Sequence, residues 1–474
     1  MTESSFSISG KIKINWQEFV AQLNGIRVMQ KPAQVKKASR DFFWYSPILE
    51  QQLSDKFADI VLQPQNQDEL SHCLKVAYQW DLPIVVRGGG TGNYGQAVPL
   101  EGGIIIDITA INQILEIGDG FVTVEAGCNI EKLNQTLKNQ GYELPVFPST
   151  QNIATIGGFI AGGSAGIGTM NNGPLREKGN IIRLKVLSVE AEPKTHNFCG
   201  DDTLLVHHAW GINGVISEVT LRTVPSRDWL NCIATFDDYV TAYAAGLQVA
   251  KNAKIECKLL SVLDARYGNY FVTLENHIQK GRALMITMVD AREVAGLKKD
   301  VEACGGVLEL IKTDAEIKAE KLPHVYEFSY NHCNLQVLKA DKAMTYLQVS
   351  FPQPLTVDKV KELQPLLKKE VFQHHEFATI NGELIAFDVP AVRYTTEKRL
   401  YEIIDIYEQH GCSVADPHKY QIEAGHMHKA NFIHLAWKKR LDPKGLLNPG
   451  KSMAWERVSH LSADEIEKLT GLEG

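Results

Sequence analysis

Ile84-Val85-Val86-Arg87-Gly88-Gly89-Gly90-Thr91-Gly92-Asn93-Tyr94-Gly95 decides how the rest of the chain is read. Its apolar, β-branched start predicts a strand, which runs into a loop where five of eight residues are glycine. Glycine admits positive φ and lets successive N–H groups approach a ligand with no Cβ between them, so the loop predicts a backbone nest for phosphates. Gly90 to Gly95 also spells G-x-G-x-x-G, which as a dinucleotide fingerprint requires a helix at the last glycine and an acidic residue about 20 residues on. Instead a turn, Gln96 to Gly103, leads to a second apolar run, Ile104-Ile105-Ile106. A nicotinamide-binding Rossmann unit is therefore not expected. A surface turn with no ligand competes, but such turns seldom need so many glycines.

A second stretch, Leu144 to Leu175, contains no charged residue. It does not read as a membrane span, because Pro148, Ser149, Thr150, Gln151, Asn152 and the glycines from Gly157 to Gly168 leave no run of about 18 apolar residues. A close-packed surface against a large flat ligand fits it better.

The 474 residues exceed what one hydrophobic core usually supports, which predicts two domains. A net charge of −7 with scattered Lys and Arg argues against nucleic acid and anionic membrane surfaces as partners. Met1-Thr2-Glu3-Ser4-Ser5-Phe6 lacks the basic and apolar regions of a signal peptide, so a cytoplasmic location is expected. The eight cysteines are spread singly with no C-x-x-C, which predicts reduced core thiols rather than disulfides or a zinc site.

In order, Asn15 to Leu23 predicts a short helix in a leader packed on the body. Asp41 to Pro47 is an aromatic cluster. Asp59–Leu62, a helix from Asp68 to Trp80 and Ile84–Val86 form one α/β unit. Strands follow at Gly103–Ile108, Ile114–Ile117 and Phe121–Ala126, then a helix at Ile130–Gln140 and strands at Ile181–Ala191 and Gly214–Val224. Beyond residue 229, Thr235–Lys251 and Arg292–Cys304 read as helices and Ala283–Val289 and Tyr346–Phe351 as strands, which predicts a second sheet with helices on one face.

Four motifs occur together: R-G-G-G-T-G at Arg87, P-S-x-x-x-x-x-T-I-G-G at Pro148, G-I-N-G-V-I-S-E-V-T-L-R-T-V-P at Gly211 and D-P-K-G-L-L-N-P-G-K at Asp442. In this order they resemble the vanillyl-alcohol oxidase / p-cresol methylhydroxylase (PCMH-type) family of FAD enzymes, in the form nearest its D-lactate and glycolate dehydrogenase branch. The resemblance implies an α+β, two-domain fold: a leader over 1–50, a PCMH-type FAD-binding domain over 51–228, an α+β cap that binds substrate over 229–440, and a return to the first domain over 441–474. It also implies FAD, with the pyrophosphate on Gly88, Gly89, Gly90, Thr91, Gly92 and Asn93. The ring system and ribityl chain fall to Pro148, Ser149, Thr155, Gly157, Gly158, Gly162, Ser164, Gly166 and Gly168, adenine to Ile216, and the ring edge to Asn448. Members that attach flavin covalently through the first loop carry histidine where this chain has Thr91, so noncovalent FAD is expected.

A flavin oxidising a CH–OH donor needs a base for the hydroxyl proton, and near neutral pH that suits histidine or tyrosine. Candidates are Tyr330, His332, His374, His375, His426 and His428, with Tyr330, His332 and His426 carried forward. Arg393, set between apolar residues, suits a bidentate grip on a carboxylate. His426 and His428 also invite a metal reading, but no metal ligand is assigned. The leading expectation is an FAD-linked dehydrogenase or oxidase of a small-molecule 2-hydroxy acid; an oxidase of a sugar, alditol or other alcohol and a non-catalytic flavin-binding module are the alternatives. Electron acceptor and oligomeric state are not legible in the sequence.

Overall fold

The computed structural model describes residues 14–163, 165–425 and 432–472. Its first sheet has four strands in the order Arg27–Met29, Ile60–Gln63, Ile104–Asp107 and Ile84–Arg87. Ile60↔Ile104 and Ile84↔Ile104 pair in parallel, with helix Gln67–Gln79 as the crossover from Ile60–Gln63 to Ile84–Arg87. Its cap is Asn66, whose Oδ1 accepts from Glu69 N–H at 2.9 Å, so the helix starts one residue before the expected Asp68. Ile104, Ile105 and Ile106 are all fully buried, as expected of a parallel strand covered on both faces. Arg27–Met29 adds antiparallel to Ile60–Gln63, so part of the first fifty residues belongs to the sheet itself.

A second, antiparallel sheet follows in the order Ile114–Gly118, Phe121–Glu125, Val215–Arg222, Ile181–Leu187 and Thr195–Cys199. The C-terminal motif returns to the first sheet, where Ile84 N–H donates to Leu446 O (2.8 Å) and Asn448 N–H to Ile84 O (2.7 Å).

The third sheet has eight antiparallel strands, in the order Val307–Thr313, Trp229–Phe236, Ala283–Asp290, Cys257–Leu263, His374–Ile380, Glu383–Asp388, Gln348–Ser350 and Ser413–Ala415. Alternation along Ala283–Asp290 explains its uniform hydrophobicity. Ala283, Met285 and Val289 join a core with helices Tyr239–Lys251, Val294–Ala303, Val357–Leu367 and Glu397–Gln409, whereas Leu284, Ile286 and Met288 join the core shared with the first two sheets. Both faces are dry, so the strand shows no polar side.

Two expectations need correction here. Residues 235 and 236 end a strand rather than begin a helix, because Asp238 is the cap: its Oδ1 accepts from Thr241 N–H at 2.9 Å. The run Tyr346–Phe351 divides between two sheets, Met344–Tyr346 pairing with Ala391–Arg393 and Gln348–Ser350 with Glu383–Asp388. No described helix is long and apolar enough to cross a membrane.

Candidate active site

The glycine loop leaves the C-terminal end of strand Ile84–Arg87 and opens onto a cavity of about 750 Å³ between the first two sheets and the third. Gly88, Gly89, Gly90, Thr91, Gly92 and Asn93 all line it. Among the described residues, no backbone N–H from Gly88 to Tyr94 donates to another protein group. The loop thus presents a row of unpaired donors to the cavity, which folding alone leaves unsatisfied.

Close approach explains the glycines themselves. A Cβ on Gly88 would lie 2.0 Å from Thr155 Oγ1, and one on Gly89 2.2 Å from Ile153 O. Gly90, at φ +63°, gives its space to the Arg87 guanidinium, whose Nη1–H donates to Arg40 O at 3.0 Å. Buried charges hold the ends of the loop. Asp41 accepts from Phe43 N–H (2.9 Å), Phe42 N–H donates to Gly92 O (2.7 Å) and Lys451 Nζ donates to Gly95 O (2.6 Å). Burial pushes Asp41 up to about 6, against the pull of Lys451, and the same burial pushes Lys451 down to about 7.

The uncharged segment forms the facing wall. Pro148, Ser149, Thr155, Gly157, Gly158 and Gly162 line the cavity, and Thr155 caps helix Ile156–Gly162. Ile216 lines it from the second sheet. Gly166 and Gly168 do not; their missing side chains admit Phe147 O and Pro145 O, which a Cβ would meet at 2.2 and 1.9 Å. Asn448 also stands behind the wall, its Nδ2 donating to Gln96 O (2.8 Å) and Trp210 O (2.7 Å). Ser164, His426 and His428 lie outside the described residues. Trp210 Nε1 and Asn213 Oδ1, buried polar atoms of lining residues, have no partner among the described residues. Unpaired donors and acceptors on one wall suit a large polar ligand with both phosphates and a heterocycle.

The third sheet and helix Tyr330–Ala340 supply the remaining wall. Tyr330, at φ +47°, donates its OH to Gly166 O at 2.6 Å, and burial pushes the phenol well above its ordinary range, so it serves as a donor rather than a base. His332 and Glu327 both line the cavity, with His332 Nδ1–H donating to Glu327 Oε2 at 2.8 Å. Lys339 lines it two helical turns further on and has no ion-pair partner among the described residues. Glu376 is a lining residue 2% exposed.

Arg393 is not among the residues that line the cavity. It ends strand Ala391–Arg393 away from the cavity, with Nη2 donating to Asp341 Oδ2 at 3.0 Å, because antiparallel pairing with Met344 draws it toward the turn at Asp341. Sequence reasoning missed Glu327, Lys339 and Glu376. Glu327 and Lys339 carry a local signal, lying five residues before and seven after His332; Glu376 carries none. Among the described residues no cluster of His, Cys, Asp and Glu is arranged to hold a metal ion.

Residues 58–192 match the FAD binding domain family. The glycolate oxidase subunit GlcD of Bacillus subtilis is 25% identical over 438 residues, covering 86% of this chain and 91% of its own. D-lactate dehydrogenase of Archaeoglobus fulgidus is 29% identical over 213 residues, 43% of this chain and 47% of its own. Mitochondrial D-2-hydroxyglutarate dehydrogenase of Bos taurus is 29% identical over 181 residues, 36% of this chain and 33% of its own.

Residues 58–192 thus form an FAD binding domain, and the chain is similar to PCMH-type FAD-linked oxidoreductases over most of its length. Its fold agrees with a solved alkyldihydroxyacetonephosphate synthase structure at a TM-score of 0.69, with 15% identity, over 92% of this chain and 85% of that one. The chain is an α+β enzyme that takes FAD as its cofactor.

Proposed function

We propose that the chain oxidises the CH–OH carbon of 2-hydroxy acids in the cytoplasm, with FAD held noncovalently between an FAD-binding domain over residues 51–228 and a substrate cap over 229–440. The observation that carries this reading is the His332–Glu327 pair on the wall of the same cavity that the unpaired N–H row of Gly88 to Tyr94 lines. Backbone amides of that row would hold the pyrophosphate, and Pro148, Ser149, Thr155, Gly157, Gly158, Gly162 and Ile216 would line the rest of the cofactor. When bound, FAD supplies the acceptor for a hydride from the donor carbon.

The protein's own part is to orient the donor and take its hydroxyl proton. Glu327 holds the Nδ1–H of His332 and so leaves Nε2 as the acceptor. A carboxylate on the donor needs a cation, and Lys339 meets that need in place of Arg393. His332, Leu335 and Lys339 share one face of helix Tyr330–Ala340, and helical side chains lean toward the N-terminus, which brings the Lys339 ammonium back toward His332. The three relatives named above, a glycolate oxidase subunit, a D-lactate dehydrogenase and a D-2-hydroxyglutarate dehydrogenase, favour the same donor class.

Anaerobic mixing of the purified yellow protein with hydroxy acids, alditols, sugars and amines tests the reading. Bleaching by a 2-hydroxy acid ahead of any neutral alcohol is expected. Faster bleaching by a polyol transfers the assignment to alcohol oxidation, and no bleaching by any donor would mark a flavin-binding module without turnover.

A further inference from the structure

Two carboxylate–imidazole pairs border the cavity, and they face it in opposite senses. In the first, both His332 and Glu327 line the wall, and the imidazole keeps one nitrogen unpaired. In the second, Glu376 lines the wall while its partner His374 is fully buried behind it. Glu376 Oε1 accepts from Tyr330 N–H (2.6 Å) and His374 Nε2–H (2.5 Å), and Oε2 accepts from Ser261 Oγ–H (2.6 Å). Each of these three contacts places a donor on the carboxylate. His374 Nδ1 lies 3.2 Å from Val389 O and 3.1 Å from Cys333 Sγ. Burial opposes a charge on this imidazole, and the Cys333 sulfur with the Glu376 carboxylate outweighs it, raising His374 well above its ordinary range. The pair sets an imidazole with acceptors at both ring nitrogens behind a carboxylate that faces the cavity.

A carboxylate has about four acceptor positions, and three of those on Glu376 are taken, which leaves one for a bound molecule. Tyr330, whose N–H it accepts, opens the helix that carries His332, and Glu376 and His332 line the same cavity. Lys339 marks the opposite requirement two turns away on the same helix. A donor whose own carboxylate is drawn toward Lys339 presents its side chain to Glu376.

Resting on the 2-hydroxy-acid reading above, we propose that Glu376 is a specificity-determining residue that rejects 2-hydroxy acids carrying a second carboxylate and favours side chains that are apolar or end in a hydroxyl. A second carboxylate would bring like charge against a desolvated anion that cannot move, whereas a hydroxyl donates to the remaining lone pair.

The test compares donors of equal chain length on the holoenzyme by anaerobic flavin reduction: 2-hydroxyglutarate against 2-hydroxyvalerate, and malate against 2-hydroxybutyrate and 2,4-dihydroxybutyrate. The monocarboxylates should exceed the dicarboxylates in kcat/KM by at least about 100-fold, the scale of a like-charge contact in a dry site. Glu376→Gln should narrow that ratio by about tenfold or more while the flavin spectrum is kept, and Glu376→Met serves if the glutamine variant loses flavin. Dicarboxylates turned over within about threefold of their partners by the unmodified enzyme overturn the proposal, as does an unchanged ratio in a flavin-loaded variant. Reduction by neutral polyols with no response to any hydroxy acid overturns the underlying reading instead, and the proposal with it.

Discussion

His332 Nδ1 lies 2.8 Å from Glu327 Oε2, across the junction between the turn Val325–Phe328 and helix Tyr330–Ala340. This pairing fixes which ring nitrogen carries the hydrogen and leaves the other as acceptor. His332→Ala should lower kcat by about 10² to 10⁴ with little change in FAD content, as expected for loss of a general base. Glu327→Gln should cost less, about ten- to a hundredfold, because the ring survives but its tautomer is no longer fixed. Stopped-flow flavin reduction measures both, and full activity in His332→Ala would remove it from the mechanism.

Lys339 and Arg393 make a matched pair of variants. Lys339→Met should raise KM for a 2-hydroxy acid by about one power of ten, the scale of a lost charge-assisted contact. Arg393→Met should leave the kinetics unchanged, since its guanidinium is committed to Asp341 outside the cavity. Steady-state assays on the two proteins distinguish them, and the reverse pattern would restore Arg393 as the carboxylate holder.

At Gly89 the constraint is backbone against backbone, since a Cβ there would come within 2.2 Å of Ile153 O. Gly89→Ala should therefore push the loop off its facing wall and weaken FAD binding by at least about tenfold, without unfolding the third sheet. Titration of the apoprotein with FAD, followed by flavin fluorescence, reads the change; an unaltered Kd would separate the loop from the cofactor.

Thr91 lacks the imidazole nitrogen through which a histidine at this position would hold a flavin ring covalently. Acid precipitation should then release FAD to the supernatant, and colour retained in the washed pellet would point to an attachment elsewhere.

The pH dependence of stability carries a signature of His418. It is fully buried, its Nδ1 accepting from Ser46 Oγ–H at 2.7 Å and its Nε2–H donating to Tyr346 O at 3.0 Å, and burial pushes it down to about 4. In the unfolded chain a histidine titrates near 6.5. Between these values the unfolded state binds a proton that the folded state does not, so the contribution is complete above about 6.5 and is lost as pH falls through about 4. The slope is about 1.4 kcal/mol per pH unit. His418→Gln should be less stable at pH 7 yet show a flatter fall in stability from pH 6.5 to 4.5 by denaturant titration; parallel curves would exclude the assignment.

The sequence by itself determined what depends on neighbours in the chain. A β-branched run followed by Gly88, Gly89 and Gly90 reads as a strand delivering its backbone to a close contact, and the uncharged segment after Leu144 fits best against something large. Those features, with the four motifs, carried the fold class and the cofactor. Tertiary structure alone decided which side chains meet. Glu376 joins Tyr330 across 46 residues and Arg393 is taken by Asp341 across 52, and neither partner leaves a mark on local composition. Long strands buried on both faces, such as Ala283–Asp290 and Cys257–Leu263, carry no period to say which residues turn toward the cavity. Charge behaves likewise: an arginine between apolar residues reads the same whether it grips a ligand or a neighbouring aspartate, and only the pairing of Ala391–Arg393 with Met344–Tyr346 distinguishes them.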